Sequence, residues 1–371
     1  MPPAPDADLV VPTPDGLYCR AGRFHVDPWR PVAHAIVTHA HSDHACRGCE
    51  RYLTSSTGVF PLRERMLPGA SIDGLPFGQS LTIGDTRVSL HPAGHILGSA
   101  QIRIEHRGQV CVISGDYKTP PRSAAPDRTC EPFEPVRCNV FITESTFGLP
   151  IYRWRPQSET FADINAWWRQ NQLDGRTTFV FAYALGKAQR VLAGIDPAIG
   201  PIAVHGAIVG LNRAYADAGI ALPPSPHAAA ALAPDLRGRA LIIAPPSAAG
   251  TPWIRKFVGP DGISTALVSG WMQVRGTRRR RAIDRGFILS DHSDWDGLLW
   301  AIRETGASRV GVTHGFIEPL VRWLRERERI DAFPVPTKYE GERVEESSPD
   351  EPAAEVDPAP DDSSPDPTEP A

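Results

Sequence analysis

Five short apolar runs along the 371-residue chain end in the same way. A β-branched stretch stops at a small or hydroxyl-bearing residue, and His, Asp or Glu follows. The runs are Ala35–Thr38 before His39, Val110–Ser114 before Gly115 and Asp116, Val140–Thr143 before Glu144, Phe287–Leu289 before Ser290, Asp291 and His292, and Val310–Thr313 before His314. Unbroken apolar runs this short predict strands buried on both faces, as in a sheet covered by helices. Polar groups at strand ends are where α/β folds place their sites. Leu81–Val88 alternates like a half-buried strand, and Ser89–His95 behind it brings a further histidine out of a glycine-bounded turn.

Between Thr146 and about Gly270 the polar clusters stop while strand and helix signals continue. Thr177–Tyr183 predicts a strand and Leu185–Ala193 the helix after it, with Ala203–Val204, Leu241–Ala244 and Thr265–Val268 as further strands; Ile220–Pro234 predicts a loop or short helix. Alternating strands and helices point to a second α/β unit. The expected organisation is one discontinuous domain, residues 1–150 and 270–344, interrupted by an inserted domain at 151–269.

An apolar fraction of 41% over this length suits two domains of about 150 residues each. No stretch reaches the roughly 18 apolar residues of a membrane helix, and Met1–Asp6 lacks the basic start and apolar core of a signal peptide. A cytoplasmic protein without a membrane partner is the expectation. Six scattered cysteines, Cys19, Cys46, Cys49, Cys111, Cys130 and Cys138, predict reduced thiols. The formal net charge of −4 is unevenly placed: residues 345–371 hold ten acidic residues, seven prolines and no Lys, Arg or aromatic residue. Without those ten charges the body, residues 1–344, stands at +6. The tail cannot bury enough apolar surface to offset its ordering entropy and is expected to be disordered, while a mildly basic body is compatible with a polyanionic substrate.

The densest chemistry is His39-Ala40-His41-Ser42-Asp43-His44. In extended chain, residues i and i+2 share a face, so His39 and His41 can face one ion, and Asp43 and His44 a second as the chain turns. Imidazole and carboxylate together suit zinc, or manganese, better than the oxygen cages of calcium and magnesium. A solvated histidine-rich loop is the alternative reading of the same six residues.

This cluster, following an apolar strand, resembles the signature of the metallo-β-lactamase fold, and the later clusters occur in that fold's order. Ala93-Gly94-His95 with Leu97-Gly98 resembles its third motif and Ser114-Gly115-Asp116 its fourth. Glu144-Ser145-Thr146, Ser290-Asp291-His292 and Thr313-His314-Gly315 resemble the three added motifs of the β-CASP nucleases, which cut DNA or RNA. Gly16–Cys19, Asp27–Arg30, Ser269–Met272 and Gly286–Asp294 are most similar to the bacterial ligase-associated DNA exonucleases.

The resemblance implies a four-layer αββα sandwich of α/β class with an inserted α/β β-CASP domain that closes over it. It implies two divalent metal ions: His39, His41, His95 and Asp116 on one, and Asp43, His44, His314 and shared Asp116 on the other. Two such cations about 3.5 to 4 Å apart can hold a hydroxide nucleophile and stabilise charge on the phosphoryl oxygens. The resemblance gives His292 contact with the scissile phosphate or protonation of the leaving oxygen, Glu144 the orienting of His292, and Asp27 the bracing of the histidine loop. Each also has a plain reading, as a strand-end histidine, its ordinary partner and an Asp-Pro turn. Lys187 after Gly186, at a helix start, suits phosphate, as does the Arg278, Arg279, Arg280, Arg281 run with Arg275 and Arg285 nearby. An ordinary helix start and a solvated loop are the alternatives there. Cys46 and Cys49 are read as packing beside the histidine loop, and His25 and His34 as structural.

The activity implied is a metal-dependent DNA phosphodiesterase, an exonuclease acting in DNA repair, with DNA as substrate and a ligase and helicase of the same pathway as partners. An RNA-processing β-CASP nuclease and a non-catalytic nucleic-acid-binding protein are the alternatives.

Overall fold

A computed structural model describes residues 8–120, 127–274 and 283–338. The Arg278–Arg281 run and the acidic tail lie outside the described residues.

The first sheet has six strands in chain order: β1 (Val10–Thr13), β2 (Gly16–Cys19), β3 (Phe24–Val26), β4 (His34–Ile36), β5 (Arg51–Ser55) and β6 (Ile72–Leu75). β1 to β3 are antiparallel neighbours, and β3 to β6 run parallel. A second sheet begins with β7 (Ser80–Ile83), β8 (Thr86–Pro92), β9 (Ala100–His106), β10 (Gln109–Ile113) and β11 (Val140–Ser145). The single strand expected over Leu81–Val88 is a hairpin instead. The chain reverses at Gly84, whose φ of +55° suits glycine, and a Cβ there would stand 2.5 Å from the Ala21 carbonyl oxygen.

The chain then builds a separate, wholly parallel sheet from β12 (Thr177–Phe181), β13 (Ile202–Val204), β14 (Leu241–Ala244), β15 (Ile263–Val268) and β16 (Arg285–Phe287), ordered β13-β14-β12-β15-β16. Every residue of β12 and β14 is buried, which is why they read as unbroken apolar runs. The helix Gln157–Leu173 turns Thr160, Ile164, Trp167, Trp168 and Asn171 inward at helical spacing. The expected domain edge at residue 269 falls within this sheet, because β16 pairs with β15 and seats Phe287 against the Trp167 ring, centroids 5.4 Å apart. β17 (Arg309–Gly315) and β18 (Asp331–Pro334) then complete the second sheet in the order β18-β17-β11-β10-β9-β8-β7.

Phe24, Val26 and Ile36 of the first sheet face Leu90, Ile102 and Ile113 of the second. On the outer face of the second sheet, Phe141, Val310 and Val312 pack under Trp295, Leu299, Ile302 and Leu320 from the helices Trp295–Thr305 and Ile317–Trp323. The outer face of the first sheet, through Val37 and Tyr52, meets Leu62 of the helix Val59–Arg65 and continues into Trp168, Val180, Leu192 and Tyr215 of the parallel unit. The result is an α/β fold of αββα layers with a second α/β unit packed on one side. At about 1.5–3 kcal/mol for each fully buried large apolar side chain, this continuous core holds the two units together. Among the described residues no helix is long and apolar enough to cross a membrane, and all six cysteines are unbridged.

Candidate metal centre

The ends of β4, β8, β10, β11 and β17, with the chain just beyond them, meet at one rim of the sandwich, and each delivers its polar residue there. Beyond β4, Val37 and Thr38 lead into the histidine loop. Beyond β8, Gly94 at φ +76° turns the chain so tightly that a Cβ would lie 2.3 Å from the Lys118 carbonyl oxygen, and His95 follows fully buried. At β17 the register with β11 slips between Glu144 and Ser145, passing over His314, which sits at φ +51°. Such a bulge re-aims a side chain, here towards the rim.

His39, His41, His95 and Asp116 form one group of possible ligands and Asp43, His44 and His314 a second; within each, the ligand atoms all lie within 4.8 Å of one another. Asp116 stands between the groups. Its Oδ2 lies 3.4 Å from His44 Nε2, 3.6 Å from His39 Nε2 and 3.9 Å from His95 Nε2, and its Oδ1 lies 4.0 Å from His314 Nδ1.

The partners of the outer nitrogens fix which way the lone pairs point. His41 Nε2 donates to the Leu185 carbonyl at 3.2 Å and His95 Nδ1 to the Asp291 carbonyl at 2.9 Å. Thr38 Oγ1 donates to Asp27 Oδ2 at 2.6 Å and so accepts from His39 Nδ1 at 3.1 Å, while His44 Nδ1 donates to Asp27 Oδ2 at 2.7 Å. These assignments leave His39 Nε2, His41 Nδ1 and His95 Nε2 unprotonated and turned inward, with His44 Nε2 turned inward beside Asp116. His41 Nδ1 lies 3.0 Å from His39 Nε2 and 3.1 Å from His95 Nε2, three lone pairs that repel unless a cation lies between them. The buried atoms His44 Nε2 and Asp116 Oδ1 have no hydrogen-bond partner among the described residues. This donor set fits divalent metal ions.

The electrostatics agree. Burial, with neighbouring imidazoles, holds His39 and His95 well below the ordinary histidine value, and burial lowers His41 and His314. Burial also opposes charge on His44, but Asp116, Asp43 and Asp27 outweigh it and hold that imidazole well above its usual value. The second group is therefore a locus of strong negative potential.

His292 sits at the edge of this cluster, its ring 4.6 Å from that of His95, and it pairs through Nδ1 with Glu144. Glu144 is itself fixed by the Tyr117 backbone N–H at 2.7 Å. Asp27, at φ +45°, accepts from the Thr38 backbone N–H at 2.8 Å as well as from His44.

Lys187 takes a different place from the expected phosphate contact. It is 2% exposed, its ammonium lies 3.0 Å from Asp291 Oδ1, and the preceding N–H, that of Gly186, donates to Gln189 Oε1 at 2.7 Å. The Ala188 N–H likewise donates to the Tyr183 carbonyl at 3.0 Å, so this helix start turns its cation and part of its N–H groups to the protein itself. Sequence reasoning passed over Thr38, Asp291 and Arg190, all buried against the centre. Asp291 lay within a recognised motif, whereas Thr38 and Arg190 carried no local signal. Cys49 is buried beside the histidine loop, where the Cys46 side chain and further hydrogen bonds outweigh burial and lower its thiol to about 6.

The chain is 33% identical over 315 residues to a protein of Opitutus terrae named as a probable DNA ligase, across 84% of this chain and 30% of that protein. It is 31% identical over 144 residues to an endoribonuclease of Neurospora crassa, across 38% of this chain and 16% of the relative. To a ribonuclease of Thermus thermophilus it is 24% identical over 195 residues, across 46% and 44%. The chain thus spans under a third of the first of these relatives and about a sixth of the second. No family profile matches it. A solved structure from Enterococcus faecalis, of a protein of unknown function, superposes with a TM-score of 0.51 at 12% identity over 75% of this chain and 74% of that one. At that identity the likeness speaks for the fold.

Proposed function

The chain belongs to the metallo-β-lactamase/β-CASP nuclease family, and from that premise we propose that it is a metal-dependent DNA phosphodiesterase of the cytoplasm, an exonuclease acting in DNA repair. The observation that carries the reading is the convergence of two ligand groups on Asp116, with the His292–Glu144 pair beside them. His39, His41, His95 and Asp116 would hold one divalent ion, and Asp43, His44 and His314, sharing Asp116, the other, with zinc the first choice and manganese the second. Such ions, when bound, supply a nucleophile at neutral pH and stabilise charge on phosphoryl oxygens.

The protein's own groups do the rest. Asp27 and the carbonyls of Leu185 and Asp291 hold three imidazoles in the tautomers that ligation needs. Glu144 accepts a hydrogen bond from His292 Nδ1–H, so proton delivery to the leaving oxygen falls to Nε2. On a two-unit division, with the inserted unit running from about residue 151 to Phe287, the strand would lie between the units above this rim. The relative named as a ligase supports a DNA substrate and a ligase-linked setting, because it aligns over 84% of the chain where the Neurospora endoribonuclease aligns over 38%.

RNA processing is the second reading, favoured by the endoribonuclease-named relatives. End-labelled DNA and RNA of one sequence, incubated with protein stripped of metal and reloaded with zinc or manganese, separate the two. Stepwise shortening of DNA with RNA spared is expected. Internal cuts, or RNA cleaved in preference, would reject the exonuclease or the DNA assignment.

A further inference from the structure

The inserted unit meets the first ligand group chiefly through the stretch Leu185–Arg190. The Leu185 carbonyl accepts a hydrogen bond from His41 Nε2–H. Gly186, at φ +85°, approaches the His95 loop so closely that a Cβ would stand 2.2 Å from Ile96 Cγ2. Lys187 pairs with the side chain of Asp291, whose carbonyl holds His95 Nδ1. Arg190 donates to the His95 carbonyl at 2.6 Å and pairs with Asp127 at 3.0 Å. Further along the insert, the Tyr215 hydroxyl accepts from the Leu97 N–H at 3.2 Å.

All of these contacts fall on the first ligand group. Among the described residues, the braces of the second group come from the sandwich itself, Asp27 on His44 and the bulge that aims His314.

Lys187 and Arg190 are each only 2% exposed. Burying a cation is costly, and a buried ion pair seldom repays that cost in stability compared with apolar packing. Their placement has a different consequence: each fixes a group that fixes His95. Lys187 sets Asp291, and Arg190 sets the His95 backbone.

We propose that Lys187 and Arg190 are positioning residues for the His41/His95 half of the centre, so that docking of the inserted unit governs the affinity of one metal ion and not the other. The proposal rests on the two-metal reading above. Removing an outer partner of a ligating histidine costs roughly 10–100-fold in metal affinity.

The test uses the full chain, stripped with a chelator and titrated with zinc against a chromophoric competitor, with thermal melting alongside. Wild type should take two zinc ions. Arg190→Gln and the double variant Lys187→Met/Asp291→Asn should keep one at wild-type affinity and bind the other about 10–100-fold more weakly. The double variant removes both charges of its pair, leaving no unpaired buried ion, and carries the test if Arg190→Gln does not fold. Adding His314→Ala to either variant should weaken the remaining ion, identifying it with the second ligand group. Fewer than two zinc ions on wild type would overturn the two-metal reading. Two ions on wild type and on folded variants with unchanged affinities, or equal weakening of both, would overturn this inference alone.

Discussion

Glu144 meets Nδ1 of His292 with both carboxylate oxygens, at 2.9 and 3.1 Å, across 148 residues of sequence. Both side chains are nearly inaccessible, and the Tyr117 N–H holds the carboxylate in place. If His292 delivers a proton, His292→Ala should lower kcat by about 10²–10⁴-fold, with zinc content and DNA affinity retained. Glu144→Gln should lower kcat less, since the imidazole remains. Single-turnover cleavage measures both, and wild-type rates in His292→Ala would remove the residue from the chemistry.

Asp27 braces His44 at 2.7 Å and holds the Thr38 hydroxyl that faces His39. Asp27→Ala is therefore expected to weaken zinc binding by about 10–100-fold without unfolding the chain. Competition with a chelator checks it, and unchanged affinity would return Asp27 to the role of a turn residue.

Asp127 gives a prediction in pH. Burial works against its charge, but Arg190 and then Lys118 outweigh burial and hold the carboxyl below its ordinary value. A carboxyl lowered on folding binds fewer protons folded than unfolded. Its stabilising contribution is complete above the unfolded value of about 3.9 and drains as pH falls towards the folded value. Urea midpoints of wild type should therefore fall more steeply below about pH 4 than those of Asp127→Asn. Parallel curves would contradict the assignment.

Gly98 closes the His95 loop at φ +70°, and a Cβ there would lie 2.1 Å from the Gly58 backbone nitrogen. Neither backbone can yield cheaply, so Gly98→Ala should cost about 1–3 kcal/mol or more. Chemical denaturation reads this directly. A loss below about 0.5 kcal/mol, the range of an indifferent surface change, would show that the loop can relax.

Much of the site was legible because its residues announce themselves locally. His39-Ala40-His41-Ser42-Asp43-His44 packs four potential ligands into six positions, and an unbroken apolar run signals each strand that leads into a cluster. Leu81–Val88 misled because an alternating pattern spans a tight hairpin as readily as a single strand; the reversal at Gly84 depends on the Ala21 carbonyl opposite. The expected edge at residue 269 lies between two paired strands, and only the pairing with β15 reveals Arg285–Phe287 as a strand at all.

The amino-acid sequence by itself determined the α/β class and the residue types gathered at the candidate metal centre, because period, run length and ligand spacing are local properties of a chain. Tertiary structure alone decided what each charge meets. Lys187 looked like a phosphate ligand at a helix start until folding placed Asp291, 104 positions away in the chain, 3.0 Å from its ammonium. Arg190 carried no signal until it reached the His95 carbonyl. The value of a charge depends on burial and partners, and long-range packing sets both.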